Sequence, residues 1–435
     1  MSTSKIAFQN KKTEFLYNFS GERVTSDGGL LLLSRLLKDN KLVEYFSAYL
    51  KDSRHESYVQ HSYSSLLRTR LLLLCAGYED CNDIQHLQHD PAGQTLFDSV
   101  PSQSTLSRFE NAMDEDQVEA MAQGMIDYYV DNLDPNRKDI IIDVDCTDDP
   151  THGKQQGSLF HGYHWQYQYN ELFYLDGQTG QVIFPVLRPG NSHTARWNDK
   201  FLRLIVKKVK QKYPHIQIHI RADAGYSNPE FYDCVEELES GFCIGIPSNQ
   251  RLKALFEKEI EFVRTEFVEK DIKHQLFIGP KEYKAESWQN EQSVYAKIES
   301  TGLGLNVRYY VSNYTEIGPE ELYKDYYVLR GEAAENRIKE IKNYCYSDRL
   351  SCSKFSANYL RLIMSCLSYE LLRTVKEKLS QITVDARITK WNVQSIRLYI
   401  IKVAAQVRIT ARRVYFRFAR GHPYKRILDR LLRFA

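Results

Sequence analysis

The stretch from Lys138 to Gly157, KDIIIDVDCTDDPTHGKQQG, limits what this chain can fold into more than any other. Ile140, Ile141 and Ile142 form a short branched apolar run that leads straight into Asp143 and Asp145. Such a run, bounded by turn-forming residues, predicts a buried strand. Side chains alternate across a strand, so Asp143 and Asp145 share one face at or near its C-terminal end. A carboxylate there is costly to bury unless a cation or hydrogen bonds compensate it. Two readings follow: the first strand of a metal-dependent nuclease core, or a strand that runs into an acidic, helix-capping loop.

The elements that follow bear on that choice. HWQYQYNELFYLD (164–176) alternates, turns at DGQTG and returns as QVIFPVL (181–187), which predicts a hairpin. Residues 194–213 place Phe201, Leu202, Leu204, Ile205 and Val209 at helical spacing. HIQIHIRADAGY predicts another strand, with Ile216, Ile218 and Ile220 on one face and Asp223 at its end; a helix from Pro229 to Leu238 and the strand FCIGIP come next. Three strands, helix, strand, helix, strand is the order of an α/β ribonuclease H-like fold. In that fold the first and fourth strands lie side by side, and each delivers a carboxylate to one edge of the sheet.

The flanking segments set the domain organisation. Residues 1–136 read as a helical N-terminal domain for DNA-end binding, behind a loose polar start. Its stretch RVTSDGGLLLLSRLL offers Ser26 and Asp27 as helix caps ahead of a buried Leu face. Pro101 to Phe109 is similar to the turn and second helix of a helix-turn-helix, with Arg108 where DNA would lie; a plain surface helix is the other reading. Residues 137–247 form the first part of the ribonuclease H-like catalytic core. Residues 248–326 form a β-rich insertion whose strands are FIGPKEY, SVYAKIES and NVRYYVSNY. Residues 327–380 complete the core with a helix from about Glu332 to Tyr344 and a long apolar helix behind it. Residues 381–435 form a basic C-terminal DNA-binding segment.

Composition matters most in that last segment. From Arg387 onward stand thirteen Lys or Arg and a single acid, Asp429, in a chain whose net charge is only +2. Arg412, Arg413, Arg417, Arg420, Lys425 and Arg426 alternate with Val, Tyr and Phe. Basic residues interleaved with aromatics read as a phosphate-binding surface, whereas a merely solvated amphipathic face would mix in acids. Elsewhere, 43% apolar and 26% charged residues are ordinary for a soluble globular protein. The eight cysteines form no CxxC pair and no signal peptide precedes them, so they read as reduced thiols in the cytoplasm.

Three carboxylates stand out: Asp145 ending strand one, Asp223 ending strand four, and Glu335 on the late helix. Two divalent ions about 4 Å apart need shared oxygen ligands from facing elements, and carboxylates are the hard donors that Mg²⁺ prefers. Asp143 is the alternative to Asp145. HGYH (161–164) near Cys146 and His152 matches no usual zinc spacing.

RVTSDGGLLLL, LSRFENAM, DVDCTDDPTHGKQQG, LRPGNSH, RADAGY and RGEAAENRIKEIK together resemble the DDE-type transposases of bacterial insertion sequences, most closely the thirteen-eighty family of those elements. The resemblance runs from about residue 20 to 420. It implies cut-and-paste transposition of DNA: a homodimer or higher assembly binds terminal inverted repeats, cuts double-stranded DNA and joins the ends to target DNA, with two Mg²⁺ ions for which Mn²⁺ can substitute. Carried over, the acidic residues are Asp145 (in Asp145-Cys146-Thr147), Asp223 and Glu335. The Y-x-x-R…E…K signature falls on Tyr327, Arg330, Glu335 and Lys342, but four residues rather than three separate Arg330 from Glu335, which leaves Glu332 as a rival. Lys342 and Arg330 would touch phosphates near the cut, and Trp288 in the insertion would stack on a flipped-out base unless it is core. A structure-specific nuclease that cuts without joining, and a DNA-binding protein that has lost catalysis, are the alternatives.

Overall fold

The computed structural model describes residues 5–10, 13–18, 22–97, 99–270, 273–301 and 304–434. These divide into two compact units, one made of residues up to 112, 344–349 and 367–435, the other of 113–343 and 350–366. The helices up to residue 112 and the basic C-terminal segment share the first unit, while the helix Glu115–Asp131 belongs to the second. Among the described residues no helix is long and apolar enough to cross a membrane.

The first unit is built on apolar helical faces. The helix Leu30–Asn40 buries Leu30, Leu32, Leu33, Leu36 and Leu37, and Tyr63–Ala76 is buried along most of its length before Gly77 ends it with a φ of 89°. A left-handed residue at that position is favoured as glycine because it satisfies the last carbonyls without a Cβ penalty. The polar start is not loose throughout: Lys5–Asn10 pairs antiparallel with Thr13–Tyr17. The TSDGG stretch also differs from expectation. Asp27 does not cap the helix; it is buried, accepts a hydrogen bond from Tyr78 Oη at 2.9 Å and pairs with Lys402 Nζ at 2.7 Å. Gly28 and Gly29 donate their N–H groups to Val403 and Ile401, and a Cβ on Gly28 would lie 2.7 Å from the Val403 carbonyl. Close backbone approach, not turn geometry, requires those glycines.

The second unit is organised on a nine-stranded mixed sheet. Its strands are β1 (Asp139–Pro150), β2 (Leu159–His161), β3 (Gln166–Asp176), β4 (Val182–Pro189), β5 (Gln217–Ala222), β6 (Gly241–Ile246), β7 (Gln275–Tyr283), β8 (Gln292–Thr301) and β9 (Gly304–Ser312). The order is β7-β8-β9-β6-β5-β1-β3-β2, with β4 also pairing β3. β1, β5 and β6 are parallel neighbours and the other pairings are antiparallel. Ile140, Ile142 and Val144 are fully buried on one face of β1, as their alternation requires. The helices Asn198–Lys212 and Pro229–Glu237 make the connections from β4 to β5 and from β5 to β6. Leu202, Ile205, Val206 and Val209 form the buried stripe of the first. Pro229 at the start of the second, with Asn228 accepting from the Phe231 N–H at 2.8 Å, fixes where it begins.

The segment 248–326 holds the three strands its sequence predicts, β7, β8 and β9. It contributes the helices Gln250–Leu255 and Glu257–Lys270, and its strands continue the central sheet, because β9 pairs with β6 from Tyr309↔Ile246 to Ser312↔Cys243. The helical stretch after it begins at Pro319, earlier than the expected Glu332, and runs through Gly331 to Cys345. Two parts of it, Leu322–Val328 and Gly331–Glu335, are π-helical.

Candidate active site

The parallel pairing of β1 with β5 ends at Val144↔Ala222. The next residue on each strand is an aspartate, Asp145 and Asp223, so the two stand on neighbouring strands at the same edge. β1 itself does not end there: it stays paired with β3 as far as Pro150↔Gln168. Asp145 therefore marks the point where β1 loses its β5 neighbour, not the end of the strand as the sequence suggested. After Asp223 the chain tightens into a 3₁₀ turn, and Asp223 Oδ1 accepts the Gly225 N–H at 2.8 Å.

Asp143, on the same face as Asp145, has a different fate. It is fully buried and accepts two hydrogen bonds from Arg221, at 2.6 Å from Nε and 2.8 Å from Nη2. Both oxygens are engaged by one guanidinium in a charge-assisted pair.

The third carboxylate comes from the helical stretch that begins at Pro319. Its π-helical part Gly331–Glu335 packs on β1. π turns are rare, and single ones arise where an extra residue is absorbed into a helix. One extra residue is what separates Arg330 from Glu335 relative to the usual spacing, so the π turn explains how both keep to one side. Arg330 Nη1 lies 3.5 Å from Asp145 Oδ2, with its guanidinium 5.8 Å from the Tyr327 ring centre. Arg330 Nε is buried without a hydrogen-bond partner among the described residues. Glu335 is exposed, and the side chain of its rival Glu332 lies outside the described residues. Burial pushes the Asp145 carboxyl up to about 6; Arg330 opposes this, while the charges of Asp223 and Glu335 add to it. The three acids thus sit close enough for two of them to be felt at the third.

Lys342 donates to Thr147 Oγ1 at 3.2 Å and to the Asp148 carbonyl, tying its helix to β1 just past Asp145. Tyr327 is half-buried, its ring stacked on Tyr310 at 6.0 Å. Trp288 is not available as a base-stacking residue. It is 7% exposed, with Tyr232 at 4.5 Å and Tyr283 at 5.4 Å against its ring.

The donor set suits a hard divalent cation in kind: three carboxylates, one of them raised chiefly by burial, with the charges of the other two adding to it. It is not drawn closed, for among the described residues no three acidic, His or Cys side chains are grouped closely enough to hold an ion by themselves.

In the other unit, Arg412, Arg413 and Arg417 lie on an antiparallel ribbon, Ala405–Ile409 with Val414–Phe418. Cross-strand partners share a face, so Gln406 with Arg417 and Arg408 with Tyr415 form one side, and Val407 with Phe416 the other. Arg412 and Arg413 are exposed in the connecting turn, and Lys425 and Arg426 are exposed on the following helix Lys425–Phe434. On the helix Gln103–Ala112, Leu106, Phe109 and Glu110 are buried while Ser104 and Arg108 face solvent.

Two motifs turn out to be structural. Arg188 of LRPGNSH is fully buried, donating to Asn170 Oδ1 at 2.9 Å and to the carbonyls of Thr194 and Arg196 at 2.9 and 3.0 Å. The GKQQG segment docks on residues 350–358 through Gln156 N to the Ser353 carbonyl at 2.9 Å and the Phe355 N–H to Gln156 Oε1 at 3.2 Å. A buried Arg with no acid nearby in sequence gives no local sign of its partners.

A mixed sheet with a carboxylate on each of two parallel strands just past their last pairing, followed by a late helix, is the arrangement of the ribonuclease H-like class of nucleic-acid enzymes. The model of the family described as transposase DDE domain group 1 matches residues 8–434, and the chain belongs to that family. It is accordingly a DDE transposase, an enzyme that cuts DNA and transfers strands. Among solved structures it is similar to the piggyBac transposase synaptic complex with hairpin DNA, determined by cryo-electron microscopy. The identity is 13%, the match covers 88% of this chain and 83% of that one, and the TM-score is 0.46. No curated protein matches.

Proposed function

We propose that this chain is the transposase of a bacterial insertion sequence, which binds the terminal inverted repeats of its element and moves it by cut-and-paste. The observation that carries the reading is the placement of Asp145 and Asp223 one residue past the last parallel pair of β1 and β5, with Glu335 near enough to act on the Asp145 charge. Asp145, Asp223 and Glu335 would hold the divalent ions, Mg²⁺ in the cell, which when bound activate the attacking oxygen and stabilise the leaving one. The protein's own part is orientation. Arg330, with an unpartnered buried Nε beside Asp145, is suited to a phosphate oxygen of the strand being cut. Lys342 holds β1 in place through Thr147 and Asp148 and adds positive charge on the same side. The exposed arginines of the ribbon and Lys425 and Arg426 supply sequence-independent grip on the DNA backbone. A homodimer or larger assembly would bring two element ends together.

The test is cleavage of a labelled duplex carrying the element's terminal repeat, with Mg²⁺ or EDTA, by the wild type and Asp223→Asn. Metal-dependent cuts at the repeat boundary that the variant loses are the expected result. Cutting without any joined product when precut ends meet target DNA would leave a nuclease; salt-sensitive binding with no cutting in any metal would leave a DNA-binding protein.

A further inference from the structure

The β2–β3 hairpin projects aromatic rings into solvent. Tyr163 is 88% exposed, Trp165 81% and Tyr167 59%, with Phe160 beside them. Phe160 faces Tyr167 across the hairpin, and the Phe160 ring meets Trp165 at 5.5 Å and Tyr167 at 5.6 Å, edge to face in both cases. Burial therefore does not account for these residues. Trp165 also adopts a φ of 56°, a left-handed conformation that costs a bulky residue and that glycine would take freely. Turn geometry alone would favour glycine there, so it does not account for the tryptophan.

Charge says what that is. No Asp or Glu occurs between Asp149 and Glu171, while Lys154, His152, His161 and His164 all lie in that interval. The tip of the hairpin is itself aromatic and carries no acid, which suits nucleic acid bases and their phosphates. The hairpin is also continuous with the candidate active site: Gln166 Nε2 donates to Asp148 Oδ2 at 2.8 Å, and the Thr151 N–H donates to the Tyr167 carbonyl at 2.9 Å. Asp145 pairs with Phe173, so an extended β3 carries the tip roughly 25 Å beyond it, the length of about seven stacked base pairs.

We infer that the tip of this hairpin is a base-stacking element, with Trp165 and Tyr163 binding DNA bases that are unpaired or unstacked at a distance from the phosphate beside Arg330. The location relative to a cut rests on the proposed function; the stacking itself does not. Trp165 binds here as a positioning residue, fixing the path of distorted DNA rather than taking part in the reaction.

The test uses the full chain in EDTA, so that binding is read apart from cutting. The probes are a duplex of arbitrary sequence and the same duplex with a short single-stranded gap. The wild type is expected to prefer the gapped probe by about tenfold, the scale of one stacked base. Trp165→Gly, which the left-handed backbone accepts, should abolish that preference and leave duplex affinity unchanged, while Trp165→Phe should retain most of it. A Trp165→Gly protein that keeps the preference overturns the inference. Equal weakening on both probes overturns it too, since the hairpin would then serve only the backbone. So does a change in the sedimentation of the DNA-free protein, which would make the hairpin a contact between subunits. A Trp165-dependent preference in a wild type that never cuts repeat ends would uphold stacking and refute the transposition reading separately.

Discussion

Arg221 holds both carboxylate oxygens of Asp143, at 2.6 and 2.8 Å, whereas Asp145, two residues along the same face, accepts only the Cys146 N–H at 2.8 Å and lies 3.5 Å from Arg330 Nη1. Two acids that look interchangeable in the sequence are thereby given opposite tasks. Replacing Asp143 with Ala leaves a buried guanidinium unpaired and should cost about 3–5 kcal/mol of stability. Asp145→Asn should melt at or above the wild-type temperature, because it removes a crowded charge, and should lose cleavage. Thermal melts and cleavage assays on the two variants check this; a stable, active Asp143→Ala would contradict it.

The π turn at Gly331–Glu335 predicts an unusual tolerance. Deleting one alanine of the pair Ala333–Ala334 should let the turn relax to ordinary α-helix, with helicity retained and measurable cleavage preserved. Deleting Lys339 from the regular helix Asn336–Cys345 should instead rotate everything after it by about 100° and carry Lys342 away from Thr147. Circular dichroism with cleavage of the two deletions compares them directly.

Asp176 sets an acid limit on stability. Burial disfavours its charge, but Arg137 and the Tyr129 hydroxyl at 2.8 Å outweigh that, so its carboxyl stays below the usual range in the folded protein. A depressed folded pKa contributes stability that is present above the unfolded carboxylate pKa and lost as pH falls through the folded one. Urea midpoints should thus drop on acidification through and below the ordinary carboxylate range, and Asp176→Asn should start lower at neutral pH and fall less steeply. Parallel curves for the two proteins would show that Asp176 is not responsible.

The ribbon should act through charge alone. Arg412→Ala with Arg413→Ala is expected to weaken binding to all DNA sequences alike and to reduce the slope of log affinity against log salt by about 2. Fluorescence anisotropy over a salt series measures both. A loss confined to one sequence would mean that these arginines read bases.

Much of this site was legible before the structure because its signals are local. The alternation of Ile140, Ile142 and Val144 with Asp143 and Asp145 requires a strand with acids on one face, and the β3–β4 hairpin follows from its own turn residues. Pairing between distant segments was not legible. Nothing in SVYAKIES or NVRYYVSNY states that β9 adds to β6 and extends the main sheet, and Trp288 could be placed only once Tyr232 and Tyr283 were seen around it. The π turn was hidden for a related reason: an extra residue in a helix reads as a misfit to a motif until the backbone shows how it is absorbed.

Residues 142–144 of β1 are held along both edges, by β5 on one side and β3 on the other. A strand clamped that way cannot slide, so the aspartate that follows it is a stationary reference point. Glu335 stands instead at the end of a π-helical turn, where the hydrogen-bond register differs from that of an ordinary α-helix. The acidic edge therefore joins a carboxylate that follows a doubly paired strand to one that stands at the end of an irregularly wound helical turn.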